Sequence, residues 1–81
     1  MQQFLVRGGS DLGAAVAESR LIRGLTQEQL SEETGIERTY LARLEAGASV
    51  QLLDRALFLL RRLGAEVTVT LPEEPAPTTK A

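Results

Sequence analysis

Four side chains in the segment 38–43 have the chemistry to bind nucleic acid: Arg38, Thr39, Tyr40 and Arg43. An arginine guanidinium can donate two hydrogen bonds to the edge of one guanine, which discriminates between base pairs by about 1–3 kcal/mol. A threonine can contact a thymine methyl group or a phosphate, and a tyrosine can do the same through its ring or its hydroxyl. These residues are the predicted DNA contacts, and the alternative is that they only solvate a helix surface.

Two short helices are predicted to present these side chains. Thr26 can cap a helix start while the Gln29 side chain reaches back to the amide of Thr26, which predicts a helix over 27–34. Gly35 can adopt the left-handed conformation that ends a helix and turns the chain. A second helix is predicted over 37–46. Two short helices joined by a tight glycine turn have the layout of a helix-turn-helix DNA-binding motif.

The second helix of such a motif lies in the major groove, and the start of the first abuts the DNA backbone. Leu41 and Leu44 are predicted to face inward at helical spacing, and Ile36 is predicted to enter the core. Gln27 lies at the first turn of the first helix, where a side-chain amide beside free backbone donors suits a phosphate. Plain solvation of Gln27 fits the spacing nearly as well.

Two further helices and one strand complete the predicted fold, which is all-α apart from that strand. Ser10 or Asp11 is the predicted N-cap of a first helix that Gly24 ends, and Ser49 is the predicted N-cap of a fourth helix that Gly64 ends. The predicted organisation is an N-terminal arm at 1–9, a helix-turn-helix domain at 10–64, a dimerisation strand at 65–71 and a disordered tail at 72–81.

The strand predicted at 65–71 alternates apolar and polar residues and needs a partner. It can pair with residues 3–7 of the arm, or with the same strand of a second subunit across a two-fold axis. The second arrangement also explains why the fourth helix carries more apolar residues than one core face needs, so a homodimer is favoured. Its predicted interface comprises Leu52, Phe58, Leu59, Val67, Val69 and Leu71.

The composition argues against enzymes and metal proteins. The chain has no histidine and no cysteine, which removes the commonest general base, thiol-ligated zinc and disulfides. We therefore predict no catalytic residue, no metal and no cofactor. No apolar run approaches the roughly 18 residues of a membrane span and no secretion signal is recognisable, so a cytoplasmic protein without a membrane partner is predicted. The net charge of −2 does not argue against a nucleic-acid partner. Glu73, Glu74 and Lys80 lie in the predicted tail, and without their charges the rest of the chain is close to neutral.

Residues 12–63 resemble the lambda-repressor-like, or XRE-type, helix-turn-helix family. The matching motifs are Leu-Thr-Gln-x-x-Leu from position 25, Thr-Gly-Ile from position 34, and Arg-x-x-Leu-x-x-Leu-Glu-x-Gly from position 38. The resemblance implies a four-helix domain in which Gln27 contacts the DNA backbone and Arg38, Thr39 and Arg43 read bases.

The same resemblance implies that Arg20 and Glu45 form an internal salt bridge, so that Glu45 does not oppose DNA binding. The sequence departs from the family at Glu37, where a serine or threonine cap is frequent, and at Ala46, where a polar residue commonly contacts the backbone. Both departures predict weaker affinity per subunit.

The segment 63–71, Leu-Gly-Ala-Glu-Val-Thr-Val-Thr-Leu, is similar to HipB-type antitoxins. That similarity implies strands that pair across a dimer and a HipA-like kinase toxin as partner. The predicted protein is an antitoxin and repressor that binds a palindromic operator in double-stranded DNA of its own promoter. The alternatives are a free-standing repressor of the phage or metabolic type, and a protein-interaction module on the same scaffold.

Overall fold

A computed structural model describes residues 2–48 and 50–73, and the all-α class with a short C-terminal strand is confirmed. The predicted N-cap Ser49 and most of the predicted tail, 74–81, lie outside the described residues. The elements in chain order are β1 (Gln3–Val6), α1 (Gly9–Ile22), α2 (Gln27–Thr34), α3 (Arg38–Glu45), α4 (Gln51–Arg62) and β2 (Val67–Thr70).

β2 pairs within the chain. It runs antiparallel to β1, with Phe4 opposite Val69, and the amide of Leu71 extends the ladder by donating to the carbonyl oxygen of Gln2 at 2.9 Å. The arm is thus the partner of β2 in the single chain, the alternative that the sequence did not favour. The physical reason is that two strands tethered in one chain meet at high effective concentration, whereas a second subunit must be recruited.

The core draws on β1, on three helices and on the residue that follows β2. Val6, Ala15, Leu41, Leu57 and Leu71 are each 5% exposed or less. Leu71 was predicted to lie in a dimer interface, but it is 3% exposed in the single chain because the β1–β2 pair turns it inward. It therefore has no surface left to offer a second subunit.

The packing of α1 against α3 depends on a glycine. Gly13 is buried, and a methyl group at this position would overlap the backbone carbonyl oxygen of Leu44. Since that oxygen is backbone, no rotation of a side chain can relieve the overlap. Gly13 therefore sets how closely the helix that carries the candidate DNA contacts approaches the core helix α1.

Both predicted ends of α2 are confirmed. The Gln29 amide donates to Thr26 Oγ1 at 3.0 Å and the Thr26 amide donates to Gln29 Oε1 at 2.8 Å, so the reciprocal cap is complete. Gly35 ends the helix with φ of 77°, in the left-handed region. Local sequence fixes this helix because all of its capping partners lie within one turn of its ends.

The predicted cap of α1 is wrong. Gly8 is the N-cap and offers no side chain, while Ser10 and Asp11 lie inside the first turn. Asp11 accepts from the amide of Arg7 at 2.9 Å, and the Gly9 amide donates to Asp54 Oδ1 at 2.6 Å. A carboxylate from α4 thus replaces a local cap, which only the folded chain can supply.

Ile36 does not enter the core, contrary to the prediction, and is 43% exposed. The short turn before α3 is held by polar bonds instead. Ser31 Oγ donates to the Ile36 carbonyl oxygen at 2.6 Å, and the Ile36 amide donates to Thr34 Oγ1 at 3.2 Å. These bonds fix the backbone of the turn without requiring the Ile36 side chain to be buried.

Among the described residues, no helix is long and apolar enough to cross a membrane.

Candidate nucleic-acid interface

The four side chains predicted to contact DNA share the solvent side of α3. Arg38, Thr39, Tyr40 and Arg43 are all exposed, whereas Leu41 anchors the other side of the helix in the core. Within residues 2–48 and 50–73, no ion pair occupies either arginine. The guanidinium groups are therefore available to an external ligand.

Tyr40 and Arg43 lie together at a shallow pocket. Its volume is about 150 Å³, and Leu44, Ala48 and Val50 complete its lining. Its walls are largely apolar, beside one phenol and one guanidinium. Such a pocket suits an apolar group such as a thymine methyl, flanked by a donor that can reach a base edge or a phosphate.

Arg38 faces a different region. It lines an open cleft of about 510 Å³ together with Thr26 and Gln27 at the start of α2. The N-terminal turn of a helix presents unpaired amide donors, so an anion in this cleft would meet backbone donors and the Arg38 guanidinium together. Glu28 also lines the cleft and opposes an anion. The fold thus brings Gln27 and Arg38 together and separates them from the pocket of Tyr40 and Arg43.

The salt bridge implied by the resemblance is present. Arg20 Nε donates to Glu45 Oε2 at 2.8 Å and Arg20 Nη2 donates to Glu45 Oε1 at 2.9 Å, a two-pronged pair whose side chains are 12% and 6% exposed. Arg20 Nη1 also donates to the Leu25 carbonyl oxygen at 2.7 Å. The pair joins α1 and the loop before α2 to the C-terminal end of α3.

Gln27 belongs to the same network, which sequence reasoning missed. Its Nε2 donates to Glu45 Oε1 at 3.0 Å. One amide hydrogen is therefore used internally, and the second hydrogen remains for an external acceptor. No local pattern signals this bond because the two residues are separated by α2 and most of α3 and meet only in the folded chain. The contact of Gln27 with the DNA backbone stays a prediction.

Arg20 and Glu45 both stay charged in this network. Hydrogen bonds from Arg20 lower the pKa of Glu45 below its usual value, with a smaller effect in the same direction from Gln27, while burial opposes them. The hydrogen bond to Glu45 raises the pKa of Arg20. Because the two charges neutralise each other beneath the surface, Glu45 adds little repulsion toward a phosphate backbone.

The chain matches the helix-turn-helix family HTH_3 over residues 16–69, well over half of its length. The match takes in the second half of α1, the whole of α2, α3 and α4, and most of β2. No curated protein and no solved structure matches the chain. Members of this family bind DNA and regulate transcription. With this match and the exposed polar face of α3, the chain belongs to the HTH_3 family of helix-turn-helix proteins.

Proposed function

We propose that this protein is a homodimeric, sequence-specific repressor that acts in the cytoplasm on a palindromic operator in its own promoter. The observation that carries the proposal is the solvent face of α3, where Arg38 and Arg43, neither in an ion pair among the described residues, flank Thr39 and Tyr40. A two-fold axis would place two copies of α3 in successive major grooves, roughly 34 Å apart. Occupation of the promoter would then exclude the polymerase.

The proposed contacts divide by chemistry. Arg38, Thr39 and Arg43 read base edges, because their guanidinium and hydroxyl groups lie on the exposed face of the proposed recognition helix, the first two in its first turn and Arg43 in its last. Gln27 binds the phosphate backbone, which positions the helix without reading sequence, and Tyr40 contacts either a phosphate through its hydroxyl or a thymine methyl through its ring. The cleft shared by Gln27 and Arg38 supports this division, since one backbone contact there would orient the neighbouring arginine.

The direct test is binding of the purified protein to a fluorescent fragment of its own upstream DNA, against scrambled DNA, at two salt concentrations. Sequence-selective binding that weakens as salt rises is expected, because phosphate contacts release counterions. Equal affinity for the scrambled fragment, at concentrations where the protein is dimeric, would favour the protein-interaction module instead.

Arg43→Ala is expected to weaken specific DNA binding by roughly 5- to 150-fold, because one bidentate base contact is worth about 1–3 kcal/mol. The thermal melt should barely change, since Arg43 is exposed and unpaired among the described residues. Fluorescence anisotropy and circular dichroism measure the two effects. Arg62→Ala, which removes the same charge from α4, is the matched control and should leave specific binding nearly intact. A comparable loss on scrambled DNA would reassign Arg43 to the backbone.

The proposed dimer is supported by the free edge of β2. Because Leu71 and Gln2 form a hydrogen-bonded pair, alternation along an antiparallel ladder points the backbone groups of Thr68 and Thr70 away from β1. Two copies of β2 related by a two-fold axis near Val69 would set Thr68 of each copy opposite Thr70 of the other. The four hydrogen bonds of those two pairs leave the β1–β2 ladder intact.

An apolar groove next to that edge supports the same arrangement. It has a volume of about 400 Å³, and its lining includes Val69 and Pro72 but no residue of β1, so it lies on the free side of β2. The α1 residues Leu12 and Val16 and the α2 residue Leu30 form part of its wall. A second copy of β2 would cover this groove. Of the predicted interface, Val69 thus keeps a role in the dimer, and the role of Val67 stays a prediction.

Thr68→Pro is expected to shift the protein from dimer to monomer in analytical ultracentrifugation. Proline removes an amide hydrogen that points away from β1, so the bond across the dimer is lost while the intrachain ladder is kept. Thr68→Val, which retains the amide hydrogen, is the control and should stay dimeric. An unchanged dimer in Thr68→Pro would remove β2 from the interface. Deleting residues 65–71 is a poorer test, because it also removes Leu71 from the core.

We also propose the finer role of antitoxin, with a HipA-like kinase toxin as partner. The resemblance of residues 63–71 to HipB-type antitoxins supports this role. A kinase reading frame beside the gene, whose product co-purifies with the protein, is expected. Without such a frame, a free-standing repressor of the phage or metabolic type becomes the preferred function, with all of the DNA contacts unchanged.

A further inference from the structure

α4 carries a second apolar surface on its outer side. The helical residues Leu52, Ala56 and Leu59 and the C-cap Leu63 recur at spacings of four, three and four residues, which places them within about 60° of the helix circumference. We call these four residues the α4 seam. Its three leucines are 81%, 58% and 80% exposed, while Leu57 anchors the other side of α4 in the core at 5%. This spacing is that of a coiled-coil contact.

The border of the α4 seam is basic. Arg55 and Arg62 lie side by side along one flank, at 100° per residue, and both are exposed. In the part of the chain that the structure describes, neither forms an ion pair. Asp54, the one acidic residue of α4, lies on another side of the helix, where it accepts from the Gly9 amide at 2.6 Å. The flank therefore presents two positive charges with no carboxylate among them.

This charge pattern disfavours an antiparallel second copy of α4 as the occupant. Antiparallel pairing about a two-fold axis brings the same flanks together, so Arg55 of one helix would lie beside Arg62 of the other. Like charges set against each other across an interface reject that partner. The dimer proposed above also leaves the α4 seam free, since none of its residues lines the groove beside β2.

We propose that the α4 seam binds an amphipathic helix of a different protein, one with an apolar stripe at the same spacing and acidic residues along its border. Apolar contact with Leu52, Leu59 and Leu63 would supply affinity, and carboxylates facing Arg55 and Arg62 would supply selectivity. Leu52 and Leu59, predicted from the sequence to lie in the dimer interface, would then contact this partner. The proposal concerns α4 alone and does not depend on DNA binding.

Two synthetic helical peptides test the proposal on the full-length protein. Both carry leucines at the coiled-coil positions; one has glutamates beside them and the other has lysines. Fluorescence anisotropy should show at least about tenfold tighter binding of the glutamate peptide. The double variant Arg55→Glu and Arg62→Glu should reverse that preference. Leu59→Gln should abolish binding, whereas Leu21→Gln, which changes a leucine that is 60% exposed on α1, should leave it intact.

Other outcomes would overturn the proposal. Absence of binding, or equal binding of both peptides, would show that the α4 seam does not select an acidic helix. Conversion of the dimer to monomer by Leu59→Gln in ultracentrifugation would show that copies of this chain cover it instead. Operator binding, measured in parallel, should be unchanged in the Arg55→Glu and Arg62→Glu variant, so a failed peptide experiment leaves the repressor proposal standing.

Discussion

Gly13→Ala is expected to destabilise the protein by about 3 kcal/mol, because the added carbon would overlap the Leu44 backbone carbonyl. In an exposed helix, replacing glycine by alanine stabilises the helix by about 0.8–1 kcal/mol. Close packing at Gly13 therefore reverses the sign of the effect on the free energy of unfolding. Thermal or urea unfolding followed by circular dichroism measures the difference. A loss of this size corresponds to a fall in Tm of roughly 10–20 °C for a domain of this length.

Ser10→Ala is the matched control for Gly13→Ala. It changes an exposed residue of the same helix that provides no cap, so the free energy of unfolding should move by less than about 0.5 kcal/mol. If Gly13→Ala were as stable as the wild type, α1 and α3 would have to sit farther apart than described, and the position of the candidate DNA contacts would need revision.

Glu45→Gln is expected to cost about 3 kcal/mol at pH 7, because it leaves the Arg20 guanidinium, 12% exposed, without a charged partner. The glutamine can still accept from Gln27, so the loss should fall on the contact between α1 and α3. Denaturant unfolding measures the effect. Glu32→Gln, a change of an exposed carboxylate on α2, is the control and should be nearly neutral.

The cost of Glu45→Gln should also depend on pH. The pKa of Glu45 is lowered in the folded protein from its ordinary value of 4.5, so the unfolded state binds protons more readily. The stabilisation by Glu45 is therefore complete above about pH 4.5 and is lost as the pH falls through the folded pKa. The difference between wild type and Glu45→Gln should shrink on acidification. A difference that is constant from pH 7 to pH 3 would mean that the carboxylate charge does not stabilise the fold.

The predictions from sequence succeeded where capping and periodicity are local. The Thr26 and Gln29 pair and the turn at Gly35 predicted α2 residue by residue, since each group finds its partner within one turn. The alternation after Gly64 predicted β2 because the two-residue period of a half-buried strand is read from the segment alone, although its partner strand is distant. The resemblance added the pair of Arg20 and Glu45, which spacing alone does not reveal.

The failures concern contacts between distant segments. Asp54 binds the start of α1 in place of a local cap, and Gln27 shares Glu45 with Arg20. Each of these contacts joins residues on different elements, so the periodicity of the sequence within one element cannot predict it. The prediction that Ile36 enters the core is wrong for a related reason. The turn between α2 and α3 is held by hydroxyl groups, so an apolar residue there need not be buried.

By itself the sequence determined the helix-turn-helix, because capping residues, glycines and the 3.6-residue period act over a single turn. It also determined which side chains of α3 face outward, since Leu41 and Leu44 can be buried only by one rotation of the helix. Only the tertiary structure decided that β1 is the partner of β2, that Leu71 belongs to the core, and that Gln27 joins an ion pair. Those outcomes depend on which distant segments meet, and that is settled by the packing of the whole chain.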